Sequence, residues 1–281
     1  VSFACFQILL TLGVGLRGEF HRPHSHRDEN VAFHAELGHA PILQPGDAER
    51  GVVLEETIGQ RLRTIEADQE QIVIIGDSVL HGWRLDDEQV VDAFLATTFP
   101  EYQVLNISVS GYSISQYYLY LREQLHRTRP KVVVVGIYAG NDYESSAMSN
   151  WSGHTTPLFV LDGEGIRPHR AVTPPFNCID ILSGSLLFKP LWRWFDTTMG
   201  LMNVVCNVRT LEEPEHGEVV HRLLQAIEAL VAEQGAKLLY VLLPDANDFN
   251  HESWYVKEKS RLPHLRKVLA RGDYHWIDFY D

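Results

Sequence analysis

Cysteine is scarce: the 281 residues hold only Cys5, Cys178 and Cys206. None is spaced as C-x-x-C, which excludes a zinc ribbon and a disulfide-dense scaffold. Cys178 and Cys206 are compatible with one disulfide or with two separate buried thiols. Basic excess is lacking too, since 24 Lys and Arg stand against 37 Asp and Glu, a formal net charge of -13. A surface of that sign repels a polyanion, so nucleic acid is not an expected partner. No G-x-G-x-x-G or G-x-x-x-x-G-K-[ST] follows a strand-like run, which argues against a nucleotide cradle. The G-x-S-x-G elbow is also missing. His21, His24 and His26 have no Cys or carboxylate cluster at ligand spacing. They read as solvated linker histidines, and neither a metal nor another cofactor is expected.

What is present can bury a sizeable core, with 45% hydrophobic residues over this length. Residues Val1 to Leu16 are apolar (VSFACFQILLTLGVGL) and a very polar stretch follows. Residues 1–19 therefore read as part of a signal peptide or membrane anchor, which implies an exported or membrane-anchored protein and possible membrane attachment through this segment. The competing reading is a buried N-terminal helix. Residues 20–60 read as a polar linker or arm, and residues 61–281 as the main domain.

Within that domain, short β-branched runs alternate with helical patterns. Strands are expected at Gln71–Ile75, Tyr102–Ile107, Lys131–Ile137, Lys237–Leu243 and Trp276–Phe279. Helices are expected at Glu88–Phe99 (apolar positions Val90, Val91, Phe94 and Leu95), at about Ser115–Arg127 and at about Gly217–Gln234. Such alternation implies βαβ units and an α/β fold, a three-layer α/β/α sandwich around a parallel sheet. Between about 150 and 210 the rhythm breaks. Pro157–Arg167 suggests a hairpin turning at Asp162-Gly163, and Leu186–Phe195 is aromatic-rich. This insertion reads equally as a cap over a site or as packing for Trp192, Trp194 and Phe195.

Ligands in parallel sheets bind beyond the carboxyl ends of the strands, so the loops after the first three strands are the place to look. The first is Gly76-Asp77-Ser78. The second runs from Ser108 to Tyr112 around Gly111, where a glycine lets its backbone N–H approach a ligand closely. The third is Gly140-Asn141-Asp142. Together they offer a hydroxyl nucleophile at Ser78 and three donors for a tetrahedral oxyanion: the Ser78 N–H, the Gly111 N–H and the Asn141 carboxamide. Taken singly, Ser78 reads as a helix cap and Asn141 as a turn residue. Asp77 and Asp142 read as loop braces.

The three blocks resemble the SGNH hydrolase (GDSL-like lipase/esterase) family. IVIIGDSVLHG is similar to its nucleophile block, with Val79 where Leu is more usual. VLNISVSGYSISQYYLYL is similar to its glycine block, and VVVVGIYAGNDY to its asparagine block. The resemblance implies a flavodoxin-like sandwich and metal-free esterase chemistry on Ser78, with Gly111 and Asn141 completing the oxyanion hole. The implied substrate is a small-molecule or glycan ester, an O-acyl ester of a carbohydrate or lipid, acetyl esters included. The same site serves an O-acyltransferase or, without a working base, a non-catalytic binding module of the same fold.

The family's general base comes from a D-x-x-H block after the last strand, and no such block follows Phe279 here. The expectation is that this block is missing from the chain or that the internal spelling, Asp248 with His251, replaces it. His81 and His154 are further candidates by position.

Overall fold

Five strands pair into one parallel sheet, as the alternation of strands and helices predicts. The computed structural model describes residues 31–42, 57–66, 68–83, 85–151, 154–169, 210–245 and 261–279. In chain order its strands are β1 (Val31–His34), β2 (Gly38–Pro41), β3 (Thr57–Ile58), β4 (Arg63–Thr64), β5 (Gln71–Ile75), β6 (Gln103–Asn106), β7 (Pro130–Tyr138), β8 (Asn150–Trp151), β9 (His154–Thr155), β10 (Phe159–Asp162), β11 (Gly165–Pro168), β12 (Lys237–Leu243) and β13 (Trp276–Asp278). Its helices are α1 (Ser78–His81), α2 (Val91–Thr98), α3 (Ile114–Gln124), α4 (Asp142–Ser146), α5 (Glu215–Glu233) and α6 (Leu262–Leu269).

The main sheet runs β13-β12-β7-β5-β6, with every neighbour parallel. Strand β5 is central and wholly buried. Its register is fixed on both sides, with Ile74 opposite Asn106 of β6 and Ile75 opposite Val135 of β7. The four remaining pairs form antiparallel two-stranded ribbons.

Right-handed crossovers put the helix between β5 and β6 on one face and those that follow on the other. On the second face α5 lays down Val219, Val220, Leu223, Leu224, Ile227 and Val231, all at most 1% exposed. They belong to the same core as Val133, Val135, Ile137, Tyr240 and Leu242. The Tyr240 hydroxyl donates to the Leu224 carbonyl at 2.8 Å, which ties β12 to α5. Each fully buried leucine there contributes about 1.5–3 kcal/mol. Helix α6 adds Leu265, Val268 and Leu269 to this core.

The first face is thinner and carries α1 and α2. Two glycines make room for α1: a Cβ at Gly136 would stand 2.2 Å from the Leu80 Cδ1, and one at Gly76 would stand 2.9 Å from it. The Leu80 side chain thus rests on bare backbone of β7 and of the loop after β5, drawing α1 down onto the sheet.

Two expectations need correction. Phe94 is 64% exposed, and the buried edge of α2 is built on Asp92 instead. That carboxylate pairs with Arg63 at 2.8 Å and accepts from the Asn106 side chain at 3.1 Å. Secondly, part of the 20–60 arm is packed structure. The β1–β2 ribbon buries Leu37 in the core, and Gly59 lies so close to the end of β6 that a Cβ there would reach the Asn106 carbonyl oxygen at 2.6 Å. In addition, α6 was not anticipated, although its buried positions follow the i, i+3, i+4 rule. The hairpin expected over Pro157–Arg167 is present as β10 and β11, with Asp162 opposite Gly165. The aromatic run Leu186–Phe195, all three cysteines and the Val1–Leu16 segment lie outside the described residues. Among the described residues no helix is long and apolar enough to cross a membrane.

Filling the seat of Leu80 tests this packing. Gly136→Val should lower stability by about 1–3 kcal/mol, as overpacked cores do. The readout is a lower urea midpoint at unchanged slope, and an unchanged midpoint would show that α1 does not rest on β7 in this way.

Candidate active site

Register carries three loops to one edge of the sheet. Strands β7, β5 and β6 lie side by side, about 4.8 Å apart from neighbour to neighbour, and all three end in the same direction. The ladder continues past the strands: Ile107 N–H donates to Ile74 at 2.8 Å, and Val109 N–H to Gly76 at 3.1 Å. The glycine loop is therefore laced to the backbone of the serine loop.

Ser78 is the first residue of α1, a single turn. Asp77 caps that turn, one carboxylate oxygen accepting from the Val79 N–H at 2.9 Å. The other oxygen accepts from the Ser78 hydroxyl at 3.3 Å. Asp77 is 1% exposed. Burial raises its pKa from 3.8 to about 6, against the pull of the Val79 amide and the Ser78 hydroxyl, which favour the charged form. Ser78 itself is half-buried, open enough to meet a substrate.

Gly111 holds φ +81, the left-handed region in which a glycine is at ease. Next to it, Ser110 is fixed at both backbone groups. Its N–H donates to the Gln60 Oε1 at 2.9 Å, and its carbonyl lies 3.0 Å from the His39 Nε2. Neither His39 nor Gln60 was singled out from the sequence. Both sit in the stretch read as a linker, where nothing local marks them.

Asn141 precedes α4, and its carbonyl accepts from the Ser145 N–H at 2.8 Å. The next residue, Asp142, is fully buried and does the bracing. It accepts from the Tyr138 N–H and from the Tyr117 hydroxyl, both at 2.7 Å. Burial, and then the nearby Asp77 charge, push the Asp142 carboxyl well above the ordinary range. Two inward carboxyls thus shape the loops that carry Ser78 and Asn141, which fits their reading as braces.

The candidate bases fare differently. His81 is held neutral, its pKa lowered to about 4 first by burial and then by Arg61 and Arg63. Its charged neighbours also include Asp92 and Asp87, whose charges act in the opposite direction. His154 pairs through its backbone with Trp151 across β8 and β9. Asp248 and His251 lie outside the described residues. The described stretch 210–245 ends at Asp245, and a Cβ at Gly140 would stand 2.7 Å from the Asp245 Oδ2. The end of β12 therefore meets the asparagine loop. Among the described residues, no group of three or more His, Cys, Asp or Glu could hold a metal ion.

No protein-family profile and no curated protein matches the chain. Solved structures do show likenesses. TesA is similar at 17% identity and a TM-score of 0.40, over 74% of this chain and 77% of that one. An acetyl xylan esterase, AlAXEase, is similar at 13% identity and 0.38, over 74% and 77%. An α/β hydrolase enzyme from the metagenome of Lake Arreo, Spain, is similar at 16% identity and 0.40, over 76% and 78%. Likeness at this level bears on neither chemistry nor substrate, and the reading of the site rests on its own geometry.

Asp77 gives the site a pH signature. Its folded pKa is raised, so between about pH 4 and pH 6 the folded state holds its proton more tightly than the unfolded state. Stability from this group is present in full below the unfolded value and is lost as pH rises through the folded one, about 3 kcal/mol in all. Asp77→Asn keeps the capping oxygen and removes the titration. Urea unfolding should show the variant gaining on the wild type as pH rises from 4 to 6, whereas a constant difference would mean that Asp77 is not desolvated.

Proposed function

We propose that this protein is a serine ester hydrolase of the SGNH type, cleaving O-acyl esters of a carbohydrate or lipid through an acyl-enzyme on Ser78. The observation that supports it is the order of the strands. The strand that ends in Ser78 lies between the strand that leads to Gly111 and the strand that leads to Asn141.

In this reading the Ser78 hydroxyl attacks the ester carbonyl, giving its proton to an imidazole base as the C–O bond forms. The carbonyl oxygen becomes an oxyanion and is met by the Ser78 N–H, the Gly111 N–H and the Asn141 carboxamide. Collapse expels the alcohol, which takes the proton from the imidazolium, and water then releases the acid by the reverse sequence. Asp248 and His251 supply the base in this proposal, because their D-x-x-H spelling follows directly on the strand end that meets the asparagine loop at Gly140. His81, kept neutral with an imidazole of low basicity, suits the role less well. The net negative charge favours a neutral substrate over a polyanion. Export or membrane anchoring remains part of the proposal, supported by the apolar run Val1–Leu16.

Three variants of the full chain test this against p-nitrophenyl acetate. Ser78→Ala should abolish hydrolysis, and Asn141→Ala should lower kcat by about 10²- to 10³-fold with little change in KM. Full activity in Ser78→Ala, or no activity in the folded wild type, would overturn the proposal. His251→Ala should match Ser78→Ala within a few-fold, and wild-type turnover in that variant would move the base elsewhere.

A further inference from the structure

We propose that His39 is a positioning residue for the oxyanion site, delivered by the β1–β2 ribbon. The inference rests on the reading of Gly111 as an oxyanion donor. The Ser110 carbonyl and the Gly111 N–H are the two ends of one peptide unit. Whatever holds the carbonyl sets the direction of the N–H.

The His39 Nε2 stands 3.0 Å from that carbonyl. A carbonyl oxygen only accepts, so the Nε2 carries the proton. Donation to the carbonyl polarises the peptide and strengthens the N–H at its other end, as coupled hydrogen bonds do in a low-dielectric interior. The imidazole also lies beside the glycine: a Cβ at Gly111 would stand 3.8 Å from both its Cε1 and its Nε2. With Gln60 accepting from the Ser110 N–H at 2.9 Å, both backbone groups of Ser110 are held by side chains that precede β5 in the chain.

The imidazole is in turn immobilised. It is 5% exposed and packs edge-on against Tyr112, with ring centres 5.0 Å apart. The Tyr112 hydroxyl donates to the His39 carbonyl at 2.8 Å, and the Gln116 side chain donates to the Leu37 carbonyl at 2.8 Å. The ribbon is thus pinned by the helix that follows the glycine loop, so His39 and Gly111 are held by one piece of structure. A preorganised donor acts on the charge that develops in the transition state, so its loss should appear in kcat rather than KM.

The test compares His39→Leu, His39→Gln and His39→Asn in the full chain. Readouts are kcat and KM on p-nitrophenyl acetate, the amide resonance of Gly111 in ¹⁵N-labelled protein, and near-UV circular dichroism as a check of folding. His39→Leu should lower kcat by about 10- to 100-fold, less than removal of a donor outright, with KM within about twofold. The Gly111 amide proton should move upfield in the same variant. His39→Gln, whose amide reaches the Nε2 position, should restore most of both, and His39→Asn, one carbon shorter, should not. Should His39→Leu fail to fold, the two amide variants decide: equal kcat and equal Gly111 shifts in Gln and Asn overturn the proposal. A folded His39→Leu with wild-type kcat and an unmoved Gly111 resonance does so as well. The Gly111 resonance reads the clamp whether or not the chain turns over substrate, so failure of the hydrolase reading, seen in Ser78→Ala, stays distinguishable.

Discussion

Parallel pairing of β5 with a neighbour on each side is the constraint on which the rest depends. Its register sets Ile74 against Asn106 and Ile75 against Val135. Three chain segments far apart in sequence therefore leave the sheet at the same level and in the same direction. A one-residue slip would turn every side chain of β5 to the opposite face. Because both faces of β5 are buried, such a slip would also disturb the packing on both sides. The position of Ser78 is thus a consequence of hydrophobic burial.

Around that edge the molecule accepts unfavourable burial in order to fix its loops. Asp77 and Asp142 are both removed from water and both titrate above the usual carboxylate range. What each receives in return is backbone control: Asp77 holds the Val79 amide and Asp142 holds the Tyr138 amide. Leu80, seated over Gly76 and Gly136, holds α1 from the apolar side. Apolar seating and buried acids act on the same few residues, which is how a site can be rigid although its helix is only one turn long.

The sheet was readable from the sequence because its buried parallel strands include near-continuous apolar runs. Gln71–Ile75 and Lys237–Leu243 were expected at the bounds they have. The loops were readable for the same reason, each following a strand end. Less legible was everything that depends on partners distant in sequence. Phe94 was expected inside because it is apolar, yet Arg63 and Asn106 recruit Asp92 to the inner edge of α2. The stretch around His39 is short, contains Gly38 and Pro41, and is rich in histidine, so its local character is that of a linker. It becomes structure only through Leu37 and through hydrogen bonds to Tyr112 and Gln116, contacts spanning more than seventy residues. The proposed base, Asp248 with His251, had a spelling in the sequence, but it follows β12 and not the last strand, β13.

The most direct measurement is a crystal structure of the protein after reaction with an activated fluorophosphonate, whose phosphoryl oxygen occupies the place of the oxyanion. The account predicts a covalent bond to the Ser78 Oγ and that oxygen about 2.7–3.1 Å from the Ser78 N, the Gly111 N and the Asn141 Nδ2. An adduct on another residue, or one on Ser78 whose oxygen points away from Gly111 and Asn141, would contradict it.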